Sequence, residues 1–233
     1  MMRAAKSLCS YFSKGEIMLW CISVSFILIS FFIFDRENYL TLTASLIGVT
    51  SLIFNAKGNP FGQLLMIIFS VLYGIISSTF AYYGEMLTYL GMTAPMAAFA
   101  LVSWLKNPYN GNKGEVRVNQ LCKKEIILML VLAAAVSAVF YYIHDDFHTA
   151  NSVPSTITVT TSFLAVYLTF RRSAWFALAY AANDIVLIVL WTMATISDIS
   201  YLSVIICFVM FLANDIYGFV SWSKMKNRQL GNA

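Results

Sequence analysis

Charge is what this sequence has least of. Asp, Glu, Lys and Arg together make up 11% of its 233 residues, where a soluble domain carries about 25%. Cysteine is sparse as well. Of Cys9, Cys21, Cys122 and Cys207, two fall on the side assigned below to the cytoplasm and two inside apolar runs. No pair lies outside, which argues against a disulfide framework, and there is no Cys-x-x-Cys to hold a metal. No Gly-x-x-x-x-Gly-Lys-Ser/Thr occurs, and no soluble segment is long enough to carry one, so coupling to ATP within the chain is excluded. The histidines stand in His144-Asp145-Asp146-Phe147-His148, read as a solvated loop rather than a metal site. No cofactor and no metal are expected.

Apolar residues fill the space that charge leaves, at 60% of the chain. A membrane span needs about 20 mostly apolar residues. Eight runs qualify, at 17–34, 39–56, 61–82, 85–105, 125–142, 153–170, 174–196 and 201–222. The first is read as a retained span, because no small-x-small cleavage site follows it before Asp35. The predicted class is an all-α polytopic membrane protein. With the N-terminus inside, 14 of the 15 Lys and Arg residues fall in inside segments, and Arg36 is the exception. That is the positive-inside pattern, with both termini cytoplasmic. The net charge of +4 is therefore read as a set of topology determinants beside lipid headgroups, not as a nucleic-acid surface.

Two runs carry the same four letters: Ala182-Asn183-Asp184-Ile185 and Ala213-Asn214-Asp215-Ile216. A carboxylate in hydrocarbon costs several kcal/mol, so it is kept where it faces a partner or a wet cavity. The second to fourth runs also resemble the sixth to eighth. Each triplet opens on a Thr/Ser-rich run, turns at basic residues (Lys57; Arg171-Arg172) and closes on Val-Ser-Trp (Val102-Ser103-Trp104; Val220-Ser221-Trp222). The fifth run between them gives both triplets the same orientation, as parallel repeats about an axis along the membrane normal. The division follows: 1–38, an N-terminal tail and extra span; 39–107, the first repeat; 108–150, an inside loop and linker span; 151–227, the second repeat; 228–233, a tail.

Parallel triplets place a cavity at their interface. Asp184 stands ~15 Å and Asp215 ~10 Å from the cytoplasmic ends of their runs at 1.5 Å per residue. Tyr180, Asp184, Ile188 and Trp191 form a mixed stripe at helical spacing, as do Asn214, Tyr217 and Gly218. Ser70 and Tyr73 occupy the matching region of the first triplet, with Ser77 and Thr88 nearby. Asparagine and aromatic rings suit a planar hydrogen-bonding heterocycle, and a fixed carboxylate favours a cationic one. The competing reading of Asn183 and Asn214 is helix–helix glue. Two aspartates in neighbouring spans also suggest an intramembrane protease, but Gly-x-Gly-Asp is missing, so no enzyme is expected. A receptor that binds without flux is the other class. Pro95, inside the fourth run, removes a helical hydrogen bond and is expected to kink it.

Several motifs then carry a resemblance: Lys57-Gly58-Asn59-Pro60-Phe61-Gly62-Gln63, Leu72-Tyr73-Gly74, Ala81-Tyr82-Tyr83-Gly84-Glu85-Met86, Pro95-Met96, Ser103-Trp104-Leu105-Lys106-Asn107-Pro108 and Asn214-Asp215-Ile216-Tyr217-Gly218-Phe219. Over roughly residues 39–227 the chain resembles the PnuC family of bacterial vitamin transporters. The resemblance implies a three-plus-one-plus-three helix core similar to SWEET sugar transporters, assembled as a homotrimer in the bacterial inner membrane. It implies facilitated uptake of nicotinamide riboside, trapped by a cytoplasmic kinase. It implies that the seventh and eighth spans supply much of the substrate site, including Asp184 and Asn214; the residue pattern itself adds Asn183, Tyr180, Trp191, Tyr217 and Asp215, with Ser70 and Tyr73 in the first triplet. The family's Trp-x-x-Trp before the polar residue of the seventh span reads Ala177 and Tyr180 here. Relatives carrying thiamine, riboflavin or deoxyribonucleosides keep those substrates open.

Overall fold

The computed structural model describes residues 11–79, 82–146, 152–196 and 198–231. Eight helices are long and apolar enough to cross a membrane. They are α1 (Lys14–Phe34), α2 (Tyr39–Ala56), α3 (Phe61–Thr79), α4 (Tyr83–Lys106), α5 (Lys123–Asp146), α6 (Ser152–Phe170), α7 (Phe176–Thr195) and α8 (Leu202–Gly231). The chain is an all-α polytopic membrane protein. In hydrocarbon each backbone group needs an internal partner, and the helix supplies one locally.

Helix ends follow side-chain chemistry. α1 opens on a capping box: the Ser13 hydroxyl accepts from Glu16 N at 3.2 Å, and the Glu16 carboxylate accepts from Ser13 N at 2.6 Å. The Asn38 side chain accepts from Thr41 N to start α2. α2 and α6 end alike. Gly58 and Arg172 take left-handed φ of 68° and 56°, and Asn59 N and Ser173 N reach back to Phe54 O and Leu168 O. This C-cap favours glycine, and Arg172 adopts it with a Cβ.

α4 is not uniform. A π-helical turn spans Thr88–Thr93, and Pro95 sits in the first turn of the α-helical piece that follows. The expected disturbance at Pro95 therefore lies just ahead of it, where the wider turn relieves the crowding and the missing donor. After α4, β1 (Pro108–Tyr109) and β2 (Asn112–Val116) pair antiparallel. Asn110 and Gly111, at φ 47° and 77°, form the turn between them, an Asn-Gly signal that hydropathy alone passes over. α8 runs well past Trp222. Its last turns are anchored to this hairpin, where Gln229 accepts from Val118 N and donates to Glu115 and to Val116 O. Residues 228–231, expected as a tail, are helix.

α2 packs on α3 and α8, α6 on α5, α7 and α4, and α7 on α8. The two Ser-Trp endings make matching contacts. Ser103 Oγ and Trp104 Nε1 donate to Phe170 O and Thr169 O, while Ser221 Oγ and Trp222 Nε1 donate to Ala56 O and Asn55 O. Each pair satisfies the orphan carbonyls at the end of a helix in the other triplet. α1 lies outside against α2 and α8. Glu16, 4% exposed, holds it there: its carboxylate is 3.2 Å from Lys57 Nζ and accepts from the Tyr217 hydroxyl at 3.0 Å. Glu16→Ala is expected to lower the thermal midpoint in detergent by about 2–4 °C, the effect of ~1 kcal/mol in a chain of this size. An unchanged midpoint would mean that apolar packing alone docks α1.

Candidate functional site

α7 and α8 run antiparallel through the bundle, and their repeated motifs meet there. Asp184 and Asp215 are 3% and 4% exposed, and their carboxyls lie within hydrogen-bonding reach of each other. Asp184 Oδ2 meets no donor. Tyr180, one turn from Asp184, lies within electrostatic reach of both carboxyls. Among the described residues, each ion pair sits near the helix ends or the hairpin, at Glu16–Lys57, Glu125–Arg171 and Glu115–Arg228. None of these includes Asp184 or Asp215.

Aromatic rings surround this centre. Trp191 Nε1 donates to the Tyr73 hydroxyl at 2.7 Å. Tyr73 stacks on Phe69 at 5.6 Å and lies 4.4 Å from Tyr89 between centroids. Tyr82 and Tyr201 close on Trp191 at 5.0 and 5.7 Å. Towards the end with the basic turns, Phe176 meets Tyr180 at 6.2 Å. Beyond it, Trp222 lies 5.3 Å from Trp104 and 4.8 Å from Phe176. The buried carboxyls thus sit between two aromatic layers. A cavity against Phe69, Tyr73 and Cys207 measures about 10 Å³, room for one water.

The structure brings together Asp184, Asp215, Tyr180, Tyr73 and Trp191 from the sequence-derived set. Three others bond to neighbouring helices. Asn183 turns to α6, where its Oδ1 accepts from Thr161 at 2.7 Å and Ser162 at 3.0 Å. Asn214 turns to α1, donating to Ser23 Oγ at 2.9 Å and to Met210 O. Tyr217 bonds Glu16. The physical reason is helical rotation: neighbouring residues point about 100° apart, so when the aspartates face inward the asparagines face adjacent helices. Such bonds tie helix to helix, while Asn214 Oδ1 is left with no partner among the described residues. Ser70 is fully buried, with no partner for its hydroxyl among the described residues. The histidine loop lies largely outside the described residues, from 147 to 151.

One residue escaped the sequence reading. Glu85 on α4 is 0% exposed. Its Oε1 accepts from Thr158 Oγ1 of α6 at 2.5 Å, and its Oε2 has no donor. The signal was present, a carboxylate within an apolar run, but Glu85 stood at the assigned edge of the run, where it reads as an interfacial charge.

Comparison with known proteins adds independent information. A family model described as nicotinamide mononucleotide transporter matches residues 38–224. The nicotinamide riboside transporter PnuC of Neisseria mucosa is 30% identical over 207 residues, covering 86% of this chain and 78% of that protein. A crystal structure of the vitamin B3 transporter PnuC superposes with a TM-score of 0.81 at 23% identity, covering 94% of each chain.

Proposed function

The chain belongs to the PnuC family of membrane transporters, and from that premise we propose that it takes up nicotinamide riboside through the centre of the helix bundle. The observation that carries this substrate is the buried Asp184–Asp215 pair among aromatic rings with no cation beside it. A pyridinium supplies the missing positive charge and a face for Tyr and Trp rings. The same observation favours the riboside over its mononucleotide. A phosphate would meet carboxylates at membrane depth, and among the described residues no Lys or Arg stands inside the bundle to receive it.

Transport is by facilitated diffusion, and a cytoplasmic kinase traps the product as its phosphate. The chain has no phosphate loop to harness ATP. The basic turns at Lys57 and at Arg171-Arg172 face the cytoplasm with both termini, in the inner membrane of a bacterium. The core is two parallel three-helix repeats, α2–α4 and α6–α8, joined by α5, with α1 as an addition. The matched Ser-Trp contacts and the crossed packing of α2 on α8 and α4 on α6 support that reading. Three copies assemble, and α1 and α5 offer the broad apolar outer faces.

The test is uptake of labelled nicotinamide riboside into proteoliposomes without ATP or an ion gradient. Internal label is expected to rise to the external concentration and no further, and enclosing a riboside kinase with ATP drives accumulation above it. Nicotinamide mononucleotide, thiamine, riboflavin and deoxyribonucleosides compete weakly. Accumulation that needs an imposed proton or sodium gradient would overturn facilitated diffusion. Binding without flux would favour a receptor.

A further inference from the structure

The interior holds a third carboxyl that the paired aspartates do not explain. Glu85 is completely buried on the first turn of α4. Thr158 occupies one of its oxygens at 2.5 Å, and the other meets no donor. None of the ion pairs among the described residues includes it. An unpaired carboxylate at this depth is costly, so the group either holds a proton or is completed by a cationic ligand. Its neighbours are suited to a cation: Tyr73 and Tyr89, with ring centroids 4.4 Å apart, both lie within its electrostatic reach. Tyr89 is also within reach of Asp184. Tyr89 therefore neighbours both the outer carboxyl and Asp184. Tyr89 belongs to the π-helical turn Thr88–Thr93 directly after Glu85. Such turns are local irregularities that recur at functional sites.

We propose that Glu85 is the outer docking carboxylate of the pathway, holding the cationic ring of the substrate against Tyr73 and Tyr89 before it passes to Asp184 and Asp215. The inference rests on the reading that the substrate is a cationic riboside. The Thr158 bond fixes one oxygen so that the other is left for the ligand. Cation–π attraction to the two tyrosines adds to the charge contact. Glu85 then discriminates by charge: it favours nicotinamide riboside over nicotinic acid riboside, whose ring carboxylate cancels the pyridinium charge.

The experiment measures KM for both ribosides in proteoliposomes, for the wild type, Glu85→Gln, Glu85→Asp and Thr158→Val. Glu85→Gln keeps the shape and the Thr158 contact but removes the charge. Its KM for nicotinamide riboside is expected to rise about tenfold or more, with that for nicotinic acid riboside changing less than about threefold. Thr158→Val and Glu85→Asp keep the charge and are expected to keep the preference for the cation. Should Glu85→Gln fail to fold, loss of that preference in Glu85→Asp or Thr158→Val overturns the proposal. An equal rise in KM for both ribosides in a folded Glu85→Gln would make Glu85 a strut between α4 and α6, and an unchanged KM for both would likewise sink the idea. A wild type that carries neither riboside removes the parent reading, and this one with it, whereas wild-type uptake with an indifferent Glu85→Gln removes only this one.

Discussion

Asp184→Asn is expected to cut nicotinamide riboside uptake by roughly 100-fold while the protein still folds. Asparagine has nearly the same size as aspartate and can still hydrogen-bond Asp215, so packing of α7 on α8 survives. What disappears is the carboxylate whose Oδ2 has no donor among the described residues and is free to meet a cation. Losing one partner of a desolvated charge contact is worth about 2–5 kcal/mol, and 100-fold lies within that range. The structural alternative predicts something different. Breaking up two adjacent buried carboxyls without a cation relieves a desolvation burden, so a purely structural pair would leave uptake intact and hold or raise the thermal midpoint. The two readouts are therefore taken together: uptake in liposomes and unfolding in detergent. A folded Asp184→Asn with wild-type uptake would remove Asp184 from the pathway. Asp215→Asn tests whether the second carboxyl acts with the first.

Trp222→Ala carries the largest expected effect on stability. The ring is 0% exposed. It packs against Trp104 and Phe176, and its Nε1 donates to Asn55 O at the end of α2. Truncating a buried Trp costs about 3–5 kcal/mol, and the orphaned carbonyl adds to that. The thermal midpoint is expected to fall by roughly 10 °C. Trp222→Phe keeps most of the volume and loses the hydrogen bond, so it isolates a contribution of about 1 kcal/mol. Trp104 makes the equivalent bond to Thr169 O on α6, and Trp104→Ala should fall by a similar amount. A large effect at Trp222 with none at Trp104 would contradict the proposed equivalence of the two triplets.

Eight spans were legible because each depends on its own residues alone. A run such as 39–56 must bury its backbone polar groups internally, and its apolar side chains meet lipid or neighbours equally well. The paired aspartates were legible for a related reason, since a carboxylate inside such a run demands explanation wherever it points. The hairpin at Asn110-Gly111 was also written locally, but in turn chemistry rather than hydropathy. The asparagines were harder. Asn183 and Asn214 follow the same rule as their aspartate neighbours, yet one serves α6 and the other α1. Tyr217 shares a helical stripe with Asn214 and is claimed by Glu16, 201 positions away in the chain.

The sequence by itself determined a polytopic all-α membrane protein with repeated acidic motifs in its last two spans, because span length and the penalty for charge in hydrocarbon act residue by residue. Which helix each buried polar group bonds to came from the packing of the whole bundle. That packing set Glu85 against Thr158, joined Trp191 to Tyr73 across 118 positions and bonded Asn183 to α6 and Asn214 to α1. Rotation of a helix about its axis is set by the contacts of all its neighbours together, and no single run contains that information.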